Sequence, residues 1–261
     1  MSALQDDALA CALKTLATTE HLLVAVDFDG TLSPLVERAE DARPLPGSAA
    51  ALQALAALPR TTTALISGRA LDSLRVVASP GPDTLLIGSH GAETWAGTGR
   101  EPLTLTGEQQ SLLNTATAAV QQVVDVHPGS RVEFKPAGVV LHTRTADDDV
   151  ARAAVEAARA GLADLPGLTI SDGKRVLEVS VVKADKGTGL GRLRALVGAT
   201  AVFFAGDDVT DEHAQRALDP QDVGVKVGDG DSAAQYRVPS PAALTAVLEE
   251  LLALRSAGAS A

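Results

Sequence analysis

The chain has 261 residues, 46% hydrophobic and only 2% aromatic, enough for one large domain or two modest ones with cores built from Val, Leu, Ile and Ala. A formal charge of -11 with no basic cluster argues against a nucleic-acid or anionic-membrane partner. The single cysteine, Cys11, excludes an internal disulfide framework, and no apolar run or basic leader suggests a membrane span or signal peptide, so the cytoplasm is the expected compartment.

In chain order, Leu4, Ala8, Leu9, Ala12, Leu13 and Leu16 recur at helical spacing and predict a leading amphipathic helix over 4–17. A short apolar run from Leu22 then stops at Asp27, which reads as a buried strand delivering two carboxylates, Asp27 as its last residue and Asp29 two positions on. Gly30 lets the backbone turn sharply beside whatever those acids hold. Two carboxylates roughly 4 to 6 Å apart repel by a few kcal/mol at an effective dielectric near 20. A bound cation or a shared proton relieves that repulsion. Taken alone, the two acids could equally cap a turn.

Pro44 and Pro46 interrupt the chain, an Ala- and Leu-rich run predicts a helix over 48–58, and Pro59 ends it. A second strand over Thr61 to Ser67 leads into Ser67-Gly68-Arg69, a short helix over 70–78 and a third strand over Thr84 to Ile87, which ends in Gly88-Ser89-His90-Gly91. From about 104 to 182 the alternation changes. A helix over 107–125, strands over Arg131 to Lys135 and Val139 to Arg144, a helix over 147–163, and strands over 168–171 and 175–182 describe a small α+β domain inserted into another fold. Strand-helix alternation resumes at Asp185-Lys186-Gly187, with a helix to about 197 and a strand over 201–205 ending in Gly206-Asp207-Asp208. A further helix to Leu218, a strand over 223–227, a Gly- and Asp-rich loop at 228–232 and a closing helix over 241–254 follow, and the tail after Arg255 reads as disordered.

The expected fold is therefore α/β, a Rossmann-like doubly wound parallel sheet formed by 1–103 and 183–261, with an inserted α+β domain of order αββαββ over 104–182. If the first three strands run outward in one direction and the fourth returns beside the first, the switch point falls at Asp27. Asp29, Ser67, Lys186 and the Asp207-Asp208 pair arrive at the same place. An acidic site with one hydroxyl and one ammonium suits phosphoryl transfer with Mg2+, which takes hard oxygen ligands. No His or Cys cluster of zinc spacing competes.

Four segments, Asp27-Phe28-Asp29-Gly30-Thr31, Ser67, Lys186 and Gly206-Asp207-Asp208-Val209-Thr210-Asp211, resemble in order the motifs of the haloacid dehalogenase superfamily of phosphatases. Each segment is weak alone. That resemblance implies Asp27 as nucleophile, Asp29 as acid and base, Ser67 and Lys186 on the phosphate oxygens, and Thr31 orienting the first loop. It implies Mg2+ bound by Asp27, the Asp29 carbonyl and Asp207, with Asp208 and Asp211 as direct or indirect support.

The insert is placed like the larger cap of this superfamily, which closes over the site and selects the substrate. Glu133 and Lys135 share one strand face, as do His142 and Arg144, and Glu178 sits between apolar neighbours. Such residues could equally form cross-strand ion pairs on a solvated face. Arg131-Val132-Glu133-Phe134-Lys135, Val140-Leu141-His142-Thr143-Arg144 and Val176-Leu177-Glu178-Val179 resemble trehalose-6-phosphate phosphatases, in which a Glu-Lys-Glu set grips the distal sugar. Ser67-Gly68-Arg69 and Gly88-Ser89-His90-Gly91-Ala92-Glu93 resemble core loops of the same family, so Arg69 and His90 join the expected substrate contacts. The chain departs from the family where a basic residue often follows the last cap Glu: here Glu178 is followed by Val179-Ser180-Val181-Val182. The resemblance implies hydrolysis of trehalose 6-phosphate. The alternatives are another sugar phosphatase of the same cap type, acting on a sucrose or mannosyl phosphate, or a non-catalytic domain binding a sugar phosphate. A small-molecule sugar-phosphate partner, no nucleic acid, no membrane and a monomer are the accompanying expectations.

Overall fold

The computed structural model describes residues 7–97, 100–101, 104–173 and 175–259. Residues 4–6 of the expected leading helix lie outside them, as do the last two residues of the tail and residues 102–103 at the expected domain boundary. The chain divides into two units, residues 1–101 with 184–261, and residues 102–183.

The first unit runs α1 (Asp7–Ala17), β1 (Leu22–Val26), α2 (Pro46–Ala56), β2 (Thr61–Ile66), α3 (Leu71–Ala78), β3 (Leu85–Gly88), β4 (Glu93–Trp95) and β5 (Arg100–Glu101). The second runs α4 (Gly107–Val126), β6 (Arg131–Lys135), β7 (Gly138–His142), α5 (Asp148–Leu162), β8 (Thr169–Gly173) and β9 (Val176–Ser180). The chain then completes the first unit with α6 (Lys186–Val197), β10 (Ala201–Gly206), α7 (Asp211–Arg216), β11 (Val223–Val227), β12 (Tyr236–Val238) and α8 (Pro241–Ala259).

β1, β10 and β11 are buried at every residue, as strands covered by helices on both faces must be. Alternation along them separates two cores. Leu22, Val24, Val26 and Phe203 pack with residues of α1, α2, α3 and α8, whereas Leu23, Ala25, Val202 and Phe204 pack with Leu190, Leu193 and Ala214 of α6 and α7. Phe203 and Phe204 thus enter opposite cores, each burial contributing about 1.5–3 kcal/mol.

The sheet order is β12-β11-β10-β1-β2-β3-β4-β5. Neighbours from β12 to β3 pair in parallel, and β4 and β5 add antiparallel. β1 lies between β10 and β2, so the direction of strand addition reverses there, which meets the condition for a switch point at Asp27. The carboxyl end of β1 is consequently the crevice of the sheet.

Several local expectations need correction. Asp27 lies one position beyond β1, and Ser67 one beyond β2. Pro46 opens α2 rather than interrupting the chain, because its missing N–H costs nothing at the first helical position. β4, β5 and β12 are absent from the sequence reading; at three, two and three residues they are too short to show a period. Residues 256–259 are helical rather than disordered, since α8 continues to Ala259. Arg255, 7% exposed, donates to the carbonyls of Ala17, Thr19, Glu20 and Arg60 and to Thr61 Oγ1. It satisfies the Ala17 carbonyl at the end of α1 and carbonyls of the loops leading into β1 and β2, which anchors the last turns of α8.

In the second unit the sheet order is β6-β7-β9-β8, antiparallel throughout. Val139, Leu141, Leu177 and Val179 pack with Ala116, Val120, Ala154, Ala158 and Leu162 of α4 and α5. By the same alternation Glu133, Lys135, His142, Glu178 and Ser180 lie on the face opposite the helices.

Candidate active site

At the crevice Asp27 is 3% exposed, fixed by its N–H donating to the Ala205 carbonyl of β10 at 2.9 Å. Its Oδ1 accepts from Lys186 Nζ at 2.6 Å, and the same ammonium donates to Asp211 Oδ1 at 2.7 Å. Lys186 stands first in α6, whose start is set by a capping box between Asp185 and Thr188. Asp211 opens α7 and its Oδ2 accepts from the N–H groups of Asp207 and Asp208, at 3.1 and 2.9 Å, which folds the end of β10 around it. Only glycine fits at 206, where a Cβ would lie 2.3 Å from the Asp211 carboxyl carbon.

Asp207 Oδ1 accepts from Thr31 Oγ1 at 3.1 Å, tying the loop after β1 to the loop after β10. Gly30 has φ +82°, and a Cβ there would stand 2.1 Å from Asp207 Oδ2. The glycine serves close approach as well as the turn. Lys226, buried in β11, donates from Nζ to the Asp207 carbonyl.

Asp27, Asp207 and Asp211 each offer a carboxylate oxygen, all within 4.8 Å of one another. Three acids with hard oxygen donors and a single shared ammonium fit a divalent cation of the magnesium type. Burial, against the pull of Lys186 and with Asp211 and Asp207 adding to it, raises the Asp27 carboxyl well above its ordinary 3.8. Burial and Asp211 likewise raise Asp207 to about 6. For Lys186 burial favours the neutral amine, but Asp27 and Asp211 outweigh it and hold the ammonium above its usual value.

The remaining expected residues are distributed differently. The Asp29 carboxylate is not with the acids: both its oxygens accept from Arg69, Nε and Nη2 each at 2.6 Å, with the guanidinium over the Phe28 ring at 5.5 Å. Asp208 is exposed and its Oδ1 accepts from the N–H of Val209 at 2.7 Å, so its side chain is turned out of the cluster. Ser67, 1% exposed, accepts on Oγ from the Arg69 N–H at 3.2 Å. His90 packs its ring over Gly68, where a Cβ would lie 2.4 Å from it.

On the helix-free face of the second unit, Glu133 Oε2 and His142 Nε2 are 2.7 Å apart, and Lys135 Nζ donates to Glu178 Oε1 at 3.4 Å. The hydrogen bond from His142 lowers the Glu133 carboxyl, against the effect of burial. Arg144 does not share a strand face with His142, because β7 ends at His142 and Arg144 is exposed beyond it.

A family model for trehalose-phosphatase matches residues 25–242. The chain belongs to the trehalose-phosphatase family. A trehalose-phosphate phosphatase of Mycobacterium leprae is 34% identical over 266 residues, covering 92% of this chain and 61% of the relative. The C-terminal domain of a Candida albicans trehalose-6-phosphate phosphatase superposes with TM-score 0.77 at 22% identity, covering 98% of each chain. A haloacid dehalogenase-like hydrolase of B. subtilis superposes with TM-score 0.62 at 16% identity over 87% of this chain and 98% of that one, and the fold is of that type. The chain spans 19% of the length of one curated relative from Mycobacterium tuberculosis and 66% of that of another from Mycobacterium bovis.

Within this trehalose-phosphatase family member, sequence reasoning missed three supporting groups. Lys226 could have been found, since a lysine inside the otherwise apolar strand Val223–Val227 must be buried with a partner. Arg69 is expected at the substrate, and nothing in its spacing signals the pair with Asp29. Glu212, which accepts from Ser232 Oγ and the Ala233 N–H at 2.7 Å each and so ties the loop before β12 to α7, carries no local signal.

The raised acids have a consequence for stability. In metal-free protein, folded Asp207 keeps its proton up to about pH 6, whereas the unfolded chain releases it near the ordinary 3.8. Its contribution is complete below that lower value and is lost as pH rises towards 6, and Asp27 acts in the same direction. Melting temperature measured in EDTA should therefore fall across this window more steeply in wild type than in Asp207→Asn; identical slopes would refute the burial of that charge.

Proposed function

We propose that this protein is a phosphatase that hydrolyses trehalose 6-phosphate to trehalose and phosphate. The observation that carries the reading is the cluster of Asp27 and Asp211, buried and sharing Lys186, with half-buried Asp207 at the end of β1, inside the stretch matched by the family model.

An Asp27 oxygen attacks phosphorus, the bond from phosphorus to the sugar oxygen breaks, and Asp29, which must first turn away from Arg69 and take up a proton from solvent, gives that proton to the sugar oxygen. The product is an aspartyl-phosphate on Asp27 and free sugar. Asp29 then takes a proton from water as the water oxygen attacks phosphorus, which releases phosphate and restores Asp27. Ser67 and Lys186 hold the phosphate oxygens, and Thr31 keeps the first loop against Asp207. Asp27, Asp207, Asp211 and the Asp29 carbonyl would hold Mg2+, which when bound neutralises phosphate and carboxylates together.

Residues 104–182 form the specificity domain in this reading. Glu133, Lys135 and Glu178, with His142, present alternating acceptors and donors on one face, which suits a polyhydroxylated disaccharide. The absence of a basic residue after Glu178 leaves this set to carry the sugar contacts.

Phosphate release from trehalose-, sucrose-, glucose- and mannose-6-phosphates, with magnesium and then with EDTA, tests the proposal. A metal-dependent preference for the trehalose ester is expected. Activity spread evenly over the panel would retain the chemistry and reject the sugar. Glu133→Ala and Lys135→Ala should each raise KM for the trehalose ester about tenfold or more, with little change on p-nitrophenyl phosphate, because the lost binding lies in the sugar. Equal losses on both esters would place these residues outside the sugar site.

A further inference from the structure

Between β3 and β4 the chain makes a tight turn through Ser89, His90 and Gly91. Ser89 and His90 are consecutive non-glycine residues in the left-handed region, with φ of 48° and 55°. Two such residues in succession are unfavourable and persist only where their surroundings impose them.

The turn is held on two sides. On one, the Ser89 N–H donates to the Arg69 carbonyl at 2.7 Å and the His90 N–H to the Ser67 carbonyl at 3.0 Å. The His90 ring lies over Gly68 between them. On the other, Gly91, at φ 118°, packs against the backbone of Asp185, where a Cβ would lie 2.5 Å from the carbonyl oxygen, and Arg192 of α6 donates to the Gly91 carbonyl at 3.4 Å. One turn therefore touches the backbone of Ser67 to Arg69 and of the residue preceding Lys186.

Glu93, 1% exposed, closes the arrangement. Its Oε2 accepts from Ser89 Oγ at 2.6 Å and from the N–H of Leu71, the first residue of α3, at 3.3 Å. The helix has no cap from its own Ala70. A serine or aspartate at 70 would cap α3 at the surface, without burying an acid from 22 residues away. Capping alone does not account for Glu93.

We propose that Glu93 is a positioning residue. It locks the strained turn, and with it the backbone of Ser67 to Arg69, so that Ser67 stands in fixed register with Lys186 and the two receive a tetrahedral oxyanion. The inference rests on the phosphatase reading. Glu93 touches no substrate; its effect passes through the backbone of residues 67–71 and the turn that abuts Asp185.

Glu93→Gln keeps an acceptor for both donors, and Glu93→Leu removes it. Steady-state hydrolysis of p-nitrophenyl phosphate, inhibition by orthovanadate and thermal unfolding are measured on both variants and wild type. For Glu93→Leu, KM and the vanadate inhibition constant should rise about tenfold or more, since small displacements of positioning groups carry losses of this size, whereas Glu93→Gln should stay within about threefold. A residue that only supports folding would reduce the amount of active enzyme, lowering apparent kcat and melting temperature with the inhibition constant unchanged. That result would overturn the proposal. If Glu93→Leu does not fold, Ser89→Ala removes one bond to Glu93 and should raise the vanadate constant in the same direction; wild-type inhibition there overturns it equally. Wild type that hydrolyses no ester would sink the phosphatase reading itself, an outcome distinct from active wild type with indifferent variants.

Discussion

Asp27→Asn should lower kcat for phosphate release by at least about 10⁴-fold, the scale on which loss of a covalent nucleophile acts. The amide has the carboxylate's shape and can still accept from Lys186, but it lacks the charge that attacks phosphorus. The fold should survive. Asp27 is raised because burial and its acidic neighbours disfavour its charge, so a neutral replacement removes one of three crowded acids. Metal-free Asp27→Asn should unfold at the wild-type temperature or above it at neutral pH. Phosphate release and thermal unfolding on one preparation check both parts. Activity within about tenfold of wild type, after contaminating phosphatase is excluded, would remove Asp27 from the nucleophile's role.

Lys186→Met should be damaging in both respects. The side chain is 3% exposed and its ammonium is shared between Asp27 and Asp211. Methionine fills the space without the charge, leaving the acids uncompensated; breaking a buried pair in this way costs about 3–5 kcal/mol. Because the acids can recover by taking up protons, the deficit in urea unfolding should shrink as pH is lowered from neutral towards 5. Turnover should fall at least about 100-fold, as when one charged donor to a reacting oxyanion is removed. Lys186→Arg keeps the charge and should recover part of the stability. A Met variant of wild-type stability at neutral pH would mean that the acids are already neutral, and the reading of the cluster would fail.

These two residues also show where sequence reasoning reaches and where it stops. Asp27 is legible because an apolar run ending in acids and a glycine is a local pattern. Lys186 stands at a helix start that Asp185 and Thr188 announce, but its partners lie 159 and 25 residues away. Asp207, Asp208 and Asp211 look equivalent as a string. In the fold, Asp207 and Asp211 join Asp27, whereas Asp208 is exposed and accepts from the Val209 N–H. Arg69 and Asp29, 40 residues apart, form a two-bond pair that no spacing rule proposes. At Arg144 the strand predicted from β-branched character, which continues past His142, outruns the strand pairing, which does not.

The sequence by itself determined the strand-helix alternation, the inserted α+β unit and the acidic character of the site. Those follow from hydrophobic period and from residue types at element ends, which are local properties. The tertiary structure alone decided which charge meets which. Asp29 went to Arg69, Lys186 to Asp27 and Asp211, Lys226 to the Asp207 carbonyl, and Glu93 to the start of α3. A buried charge must find a partner, but the nearest one is set by which strand and helix ends converge, and that is known only once the sheet is assembled.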